Sequence, residues 1–315
     1  MDRTFEPSRH PALIGARARS APVNAAWLGD TGRLTASRFA GLRDPELIAG
    51  QAATLLADPL WVETLLAPLI AAFRDDPWFE PPFRTSRDRL RTGIVLLDSE
   101  VVSIAATVIS ADALRQLPVP ATVVVPGRVT LTRYVRGGEA RMRRWRVEHA
   151  GPDFSAAAEP PAVESAPLLL GDGDVVRQDG RCCGHLIVDA SSDIVALIAT
   201  IKPGAAPLMR EYAVADGSFV RAASADEAAS RIEMLLAFLR VSGRVDAATA
   251  FEQASHHPAF HLRWAAMREW LMLDGRTARR RLAEMGASDL NAEVRAAARA
   301  TLPALDQRLA RSCPA

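Results

Sequence analysis

Two stretches of this chain carry side chains whose types and spacing could do chemistry. Residues 171–190, GDGDVVRQDGRCCGHLIVDA, set a Gly-Asp turn ahead of the adjacent Cys182 and Cys183 and then His185. Thiolate and imidazole are metal-ligating groups, and the run reads as half of a metal site. Residues 137–149, GGEARMRRWRVEH, follow a Gly-Gly turn with Arg141, Arg143, Arg144 and Arg146 around Trp145, and end on Glu148 and His149. Arginine stays protonated at any working pH and has no free lone pair, so it holds anions and not cations. If Arg141 and Arg143 point into one pocket, they suit a carboxylate or phosphate bidentately. The other reading is that both lie on an outer, solvated strand face.

The remaining reactive groups each have a plain reading. His185 is a metal ligand or a hydrogen-bonded histidine of the interior. Cys182 and Cys183 are neighbours on a strand and face opposite ways, so only Cys183 shares the side of His185. A free cysteine is most often a small core residue. His257 and His261 are four apart, as in a helical metal pair, but no H-E-x-x-H accompanies them. His257 beside Pro258 reads instead as a helix cap. No G-x-S-x-G occurs and no local Ser-His-Asp set is visible. The GDGD run is a turn and not a phosphate loop, because no Gly-Lys-Ser follows.

The elements that must position these groups change along the chain. Residues 1–43 read as a poorly ordered, Arg-, Ala- and Pro-rich arm. Residues 44–83 read as a helical segment. Asp44-Pro45 and Asp58-Pro59 each offer a cap followed by proline at the first helical position, and Pro68 is expected to bend or end the second helix. Residues 84–222 hold short β-branched runs split by Gly, Asp and Ser turns, the pattern of an antiparallel sandwich or barrel. Val129, Leu131, Arg133 and Val135 alternate, as do Ala140, Met142 and Arg144. Residues 151–167 read as a long loop. Residues 223–315 return to helical spacing, opened by a capping box from Ser224 to Glu227. Within them, residues 257–273 align with 289–305 at an offset of about 32, so that Arg263 matches Arg295 and Trp270 matches Leu302.

Residues 92–201 resemble a cupin. Gly173-Asp174, Gly180 and His185 fall where a second cupin motif has its turn, its glycine and its metal histidine. The Gly137-Gly138 turn falls where the first motif begins, but Arg141 and Arg143 stand in its two histidine places, with Glu148 in the glutamate place. The resemblance implies a cupin barrel and argues against its usual metal. His185 and Glu148 alone would remain to hold iron, manganese or zinc. Around Asp289, Val294, Arg295, Ala297 and Ala298 the chain resembles a HEAT repeat. The expected fold is therefore α+β: a cupin-like antiparallel β-barrel flanked by an N-terminal helical segment and a C-terminal HEAT-like region, packed on the barrel.

Composition narrows the function. The chain has 315 residues and a net charge of +1, so the whole molecule is not an electrostatic binder of nucleic acid or of an anionic membrane. Lys202 is the sole lysine, every other basic side chain being arginine. No run of 18 apolar residues and no leader-like segment is seen, and the cysteine pattern fits a reduced compartment, so a cytoplasmic protein is expected. The expected function is non-enzymatic: a metal-free barrel binding a small anionic molecule or peptide through Arg141, Arg143, Glu148 and His185. The helical region would dock a protein partner. The alternative is a metal-dependent cupin oxygenase or isomerase with a non-standard ligand set.

Overall fold

A computed structural model describes residues 11–151 and 153–311. The chain opens with α1 (Pro11–Trp27) and α2 (Arg33–Ser37), then α3 (Pro45–Ala57) and α4 (Leu60–Asp75). The strands β1 (Thr85–Arg87), β2 (Arg91–Asp98) and β3 (Val102–Ile109) follow, then the short α5 (Ala111–Gln116). Next come β4 (Thr122–Val125), β5 (Val129–Arg136), β6 (Ala140–Arg146), β7 (Val163–Leu170), β8 (Val175–Asp179) and β9 (Cys183–Asp189). The last strands are β10 (Ile194–Ile201), β11 (Leu208–Ala213) and β12 (Phe219–Ser224), and α6 (Glu227–Val241), α7 (Ala248–Ala254), α8 (Phe260–Ser288) and α9 (Ala292–Arg311) end the chain.

The strands pair antiparallel in three sheets ordered β1-β2-β3-β10-β5-β8, β12-β11-β4 and β7-β6-β9. This corrects the expected closed barrel: among the described residues no ladder joins the three sheets into one. The cause is local. β4 has four residues between Pro120 and Pro126. All four pair with β11 along one edge, and β4 lies against β9 without a ladder. Gly184 makes this approach possible, since a Cβ there would meet the Val124 carbonyl oxygen at 2.7 Å.

The six-stranded sheet is covered on one face by the N-terminal helices. Val129 and Leu131 of β5, with Leu197, Ala199 and Ile201 of β10, share a core with Ile48, Ala52, Leu56 and Leu65. The cap of α3 is as expected, Asp44 Oδ1 accepting from the Glu46 and Leu47 amides; α4 starts one residue later than expected, with Pro59 at the cap position and Asp58 Oδ1 accepting from Leu60. Pro68 sits inside α4 without ending it. The arm expected to be irregular is helical from Pro11 onward, with residues 1–10 outside the described part. Its apolar residues form no clean stripe, so the sequence pattern hid it. Trp27 and Phe39 dock it on the body, and the Trp27 indole donates to the Leu65 carbonyl at 2.7 Å.

Two further expectations are adjusted. β7 begins at Val163, inside the stretch read as a loop. The cap of α6 is Asp226, which accepts from Ala228 at 2.8 Å, so the helix starts two residues after the expected Ser224. Helices α6 to α9 share a core with Phe154, Leu208 and, at its margin, Phe219 of the sheet region. They pack against the sheets as expected. Within them α8 bends at Asp274, whose φ of −151° and ψ of 91° lie outside the helical range.

Candidate functional site

The inner face of the six-stranded sheet looks across at β9 and encloses a cavity of about 430 Å³. Alternation decides which side chains enter it. On β5 the apolar set turns outward to α3, so Thr130, Thr132 and Tyr134 turn inward. Thr107 and Ile109 come from β3, Ala196 and Ile198 from β10, and Gln178 from β8. β9 adds Cys183, His185 and Ile187, three alternate residues, as the strand parity of Cys183 and His185 required. The hairpin of β1 and β2 brings Arg87, Asp88 and Arg91 to the mouth.

The polar groups are mostly neutral. Burial pushes His185 down to about 4, and the Arg91 charge acts in the same direction, so its imidazole is uncharged at neutral pH. Burial raises the Tyr134 phenol to about 12, with Arg91 opposing, so it remains protonated. Asp88 is held below the usual carboxylate range by the amides of Leu90 and Arg91, both 2.7 Å from Oδ1. Among the described residues no carboxylate pairs with the Arg91 guanidinium. The cavity thus offers hydroxyls, a thiol and one neutral imidazole, with the guanidinium groups of Arg87 and Arg91 at its entrance and the Asp88 carboxylate near enough to feel the Arg91 charge.

The four residues singled out in the sequence are not brought together. His185 lines the cavity. Arg141 is exposed. Arg143 donates from Nε and Nη2 to Glu164 Oε1 and Oε2 at 2.7 and 2.8 Å, and its guanidinium lies 4.8 Å over the Trp145 ring. The Glu148 side chain is exposed, and its carbonyl accepts from Arg210. Alternation in β6 buries Ala140 and Met142 and so turns Arg141 and Arg143 the other way; a register shift between Met142 and Arg144 against β7 then brings Trp145 inward.

The residues present do not fit a metal beside His185. The cation Arg91 acts directly on the imidazole, and among the described residues His185 belongs to no group of three ligating side chains. Glu148 is elsewhere. Sequence reasoning missed Arg91, Thr130, Thr132 and Tyr134. The signal was the polar half of the alternation in β5, whose apolar half marks the opposite, helix-covered face.

A buried cluster outside the cavity lining was also missed. Arg210 and Glu159 form an ion pair with side chains 1% and 7% exposed, and the Tyr212 hydroxyl donates to the same carboxylate oxygen. Glu159 lies in the connection read as a featureless loop, and this pair fixes it.

No family model matches the sequence, and no curated protein matches it. Several solved structures are similar over part of the chain. Ectoine synthase from P. lautus is 15% identical over 38% of this chain and 69% of its own, with a TM-score of 0.23. KdgF from Halomonas sp. is 7% identical over 38% of this chain and 86% of its own, with a TM-score of 0.26. Lactobacillus farciminis oxalate decarboxylase, solved as a formate complex, is 12% identical over 42% of this chain and 33% of its own, with a TM-score of 0.25.

Proposed function

We propose that this chain is a non-enzymatic, cupin-like binding protein whose cavity takes a small molecule bearing a carboxylate or phosphate. The observation that carries the reading is Arg91, which makes no salt bridge among the described residues, at the mouth of a cavity lined by Thr107, Thr130, Thr132, Tyr134 and neutral His185. A volume of about 430 Å³ suits a small ligand better than a peptide. The guanidinium would meet the anion, and the hydroxyls would meet the body of the ligand. This moves the expected anion contact from Arg141 and Arg143 to Arg91. Gly173-Asp174, Gly180 and His185 support the cupin-like reading, with His185 directed inward. The donor set beside His185 gives no support to a metal-dependent enzyme.

The helical end is read as HEAT-like on a contact that occurs twice at an offset of 32 residues. Arg263 Nη1 donates to the carbonyls of His257 and Pro258, and Arg295 Nη1 to those of Asp289 and Leu290.

The test is a thermal-shift screen of small carboxylates and phosphorylated sugars, followed by calorimetry on the best stabiliser. A charge-assisted hydrogen bond contributes about 1.5–3 kcal/mol, so Arg91→Ala should weaken binding by roughly 10- to 100-fold. Arg141→Ala should leave it unchanged. A ligand that binds Arg91→Ala as tightly as the parent chain overturns the assignment.

A further inference from the structure

A second group of ligating side chains lies outside the cavity, around the turn from β8 to β9. The donor atoms of His149, Asp179 and Cys182 all lie within 4.8 Å of one another. We propose that these three residues bind one thiophilic divalent cation, of which Zn2+ is the type. Imidazole, carboxylate and thiolate together are a zinc donor set, and three protein ligands leave a fourth position for water.

The backbone builds this arrangement. Asp179 and Cys182 are the ends of a four-residue turn, closed by the Cys182 amide donating to the Asp179 carbonyl at 3.1 Å. The turn sets both side chains on one side. The chain leaving β6 is tied alongside, because the Val147 amide donates to the Cys182 carbonyl at 2.9 Å, and this brings His149 across. Arg210 Nη2 holds both segments from beneath, donating to the Glu148 carbonyl at 2.6 Å and the Arg181 carbonyl at 3.0 Å. Thus each donor sits within one residue of a backbone contact that fixes it.

The Asp179 carboxylate is oriented by Arg181, whose Nε and Nη2 donate to its two oxygens at 2.8 and 2.7 Å and whose amide donates to Oδ1 at 3.1 Å, so a cation would share these oxygens with Arg181. A hydrogen-bonded carboxylate is the usual form of a metal-ligating one. Donors about 2.0–2.3 Å from a tetrahedral ion stand roughly 3.3–3.8 Å apart, so the group must close by about 1 Å or a little more. His149 is exposed and free to rotate inward. Cys182 is a thiol at neutral pH, since burial and the neighbouring Cys183 push it up to about 11. Cation binding would displace that proton. Two cations stand nearby: Arg181, neutralised by Asp179, and Arg146, on the exposed face of β6. Cys183 Sγ is 3.8 Å from Cys182 Sγ but belongs to the cavity wall.

The experiment uses the whole chain, reduced and stripped of metal, titrated with Co2+ and then displaced with Zn2+. Absorption from thiolate-to-cobalt charge transfer reports a bound sulfur directly. Saturation near one equivalent is expected, with the band lost in Cys182→Ser. His149→Ala should weaken binding by at least about tenfold, in line with the loss of a metal contact. Because His149 is exposed, that variant keeps its fold and remains informative if Cys182→Ser does not. Cys183→Ser and His185→Ala should bind as the parent does. No saturable band, or full affinity in His149→Ala, overturns the proposal. A loss in Cys183→Ser equal to that in Cys182→Ser would assign the cation to the adjacent thiol pair. A loss in His185→Ala would move it into the cavity, and either result also overturns the three-residue site.

Discussion

His185 lines the cavity on the face that its strand parity with Cys183 predicts. Its electrostatics give a pH signature. In the unfolded chain the imidazole takes a proton near 6.5, and in the folded chain only near about 4. Between those values the unfolded state binds the extra proton, so stability falls as pH drops through this window, by up to about 1.4 kcal/mol per unit, and levels off below it. Denaturant titrations from pH 7 to 4 should show this slope, and His185→Gln should reduce it, leaving the part due to His261, which burial also holds below its usual value. An unchanged slope in the variant would place the proton uptake elsewhere. Arg141 and Arg143 were misassigned although Ala140 and Met142, the apolar half of the same alternation, mark the inner face. Glu148 lies beyond the register shift between Met142 and Arg144, which no residue type in the strand announces.

At the scale of elements, alternation and caps were legible while closure was not. The apolar rows of β5 and β10 and the aspartate cap of α3 can be read from residue types. The separation of β4 from β9 depends on how two backbones approach across a glycine, which is a property of the pair. Gly184→Ala tests this. The added carbon would meet the Val124 carbonyl oxygen at 2.7 Å and force the strands apart. A cost of about 1–3 kcal/mol is expected from overpacking, read as a lowered denaturation midpoint with little change in the denaturant slope. A neutral substitution would mean that the two sheets slide freely past each other. Helix α1 escaped detection because its apolar residues form no stripe.

Across the whole molecule the sheets and the C-terminal helices are one packed body. Phe154 stacks on Phe260 and meets Phe219 edge-on, and Asn291 Nδ2 donates to the Phe154 carbonyl at 3.1 Å. Limited proteolysis near residues 220–225 should therefore fail to release two independently stable pieces. Arg263 and Arg295, paired by the sequence alignment, each donate to two carbonyls five and six residues before them. Not legible was that Arg263 also pairs with Asp289, at 2.6 and 2.8 Å, where both side chains are buried. Asp289→Ala leaves that cation without its partner and should cost about 3–5 kcal/mol. Melting followed by circular dichroism should show the loss. A shift confined to the helical signal, with the sheet signal unmoved, would show that the two regions unfold separately.

Lys202 closes the end of the β2–β3 hairpin onto β10, its Nζ donating to Asp98 Oδ1 at 2.7 Å and to the Ser99 carbonyl at 2.6 Å. It is also the chain's sole side-chain primary amine. Acylating reagents thus find one internal address in the entire molecule. A dye coupled there would report on a single corner of the six-stranded sheet, and the coupling rate would measure how often that corner opens.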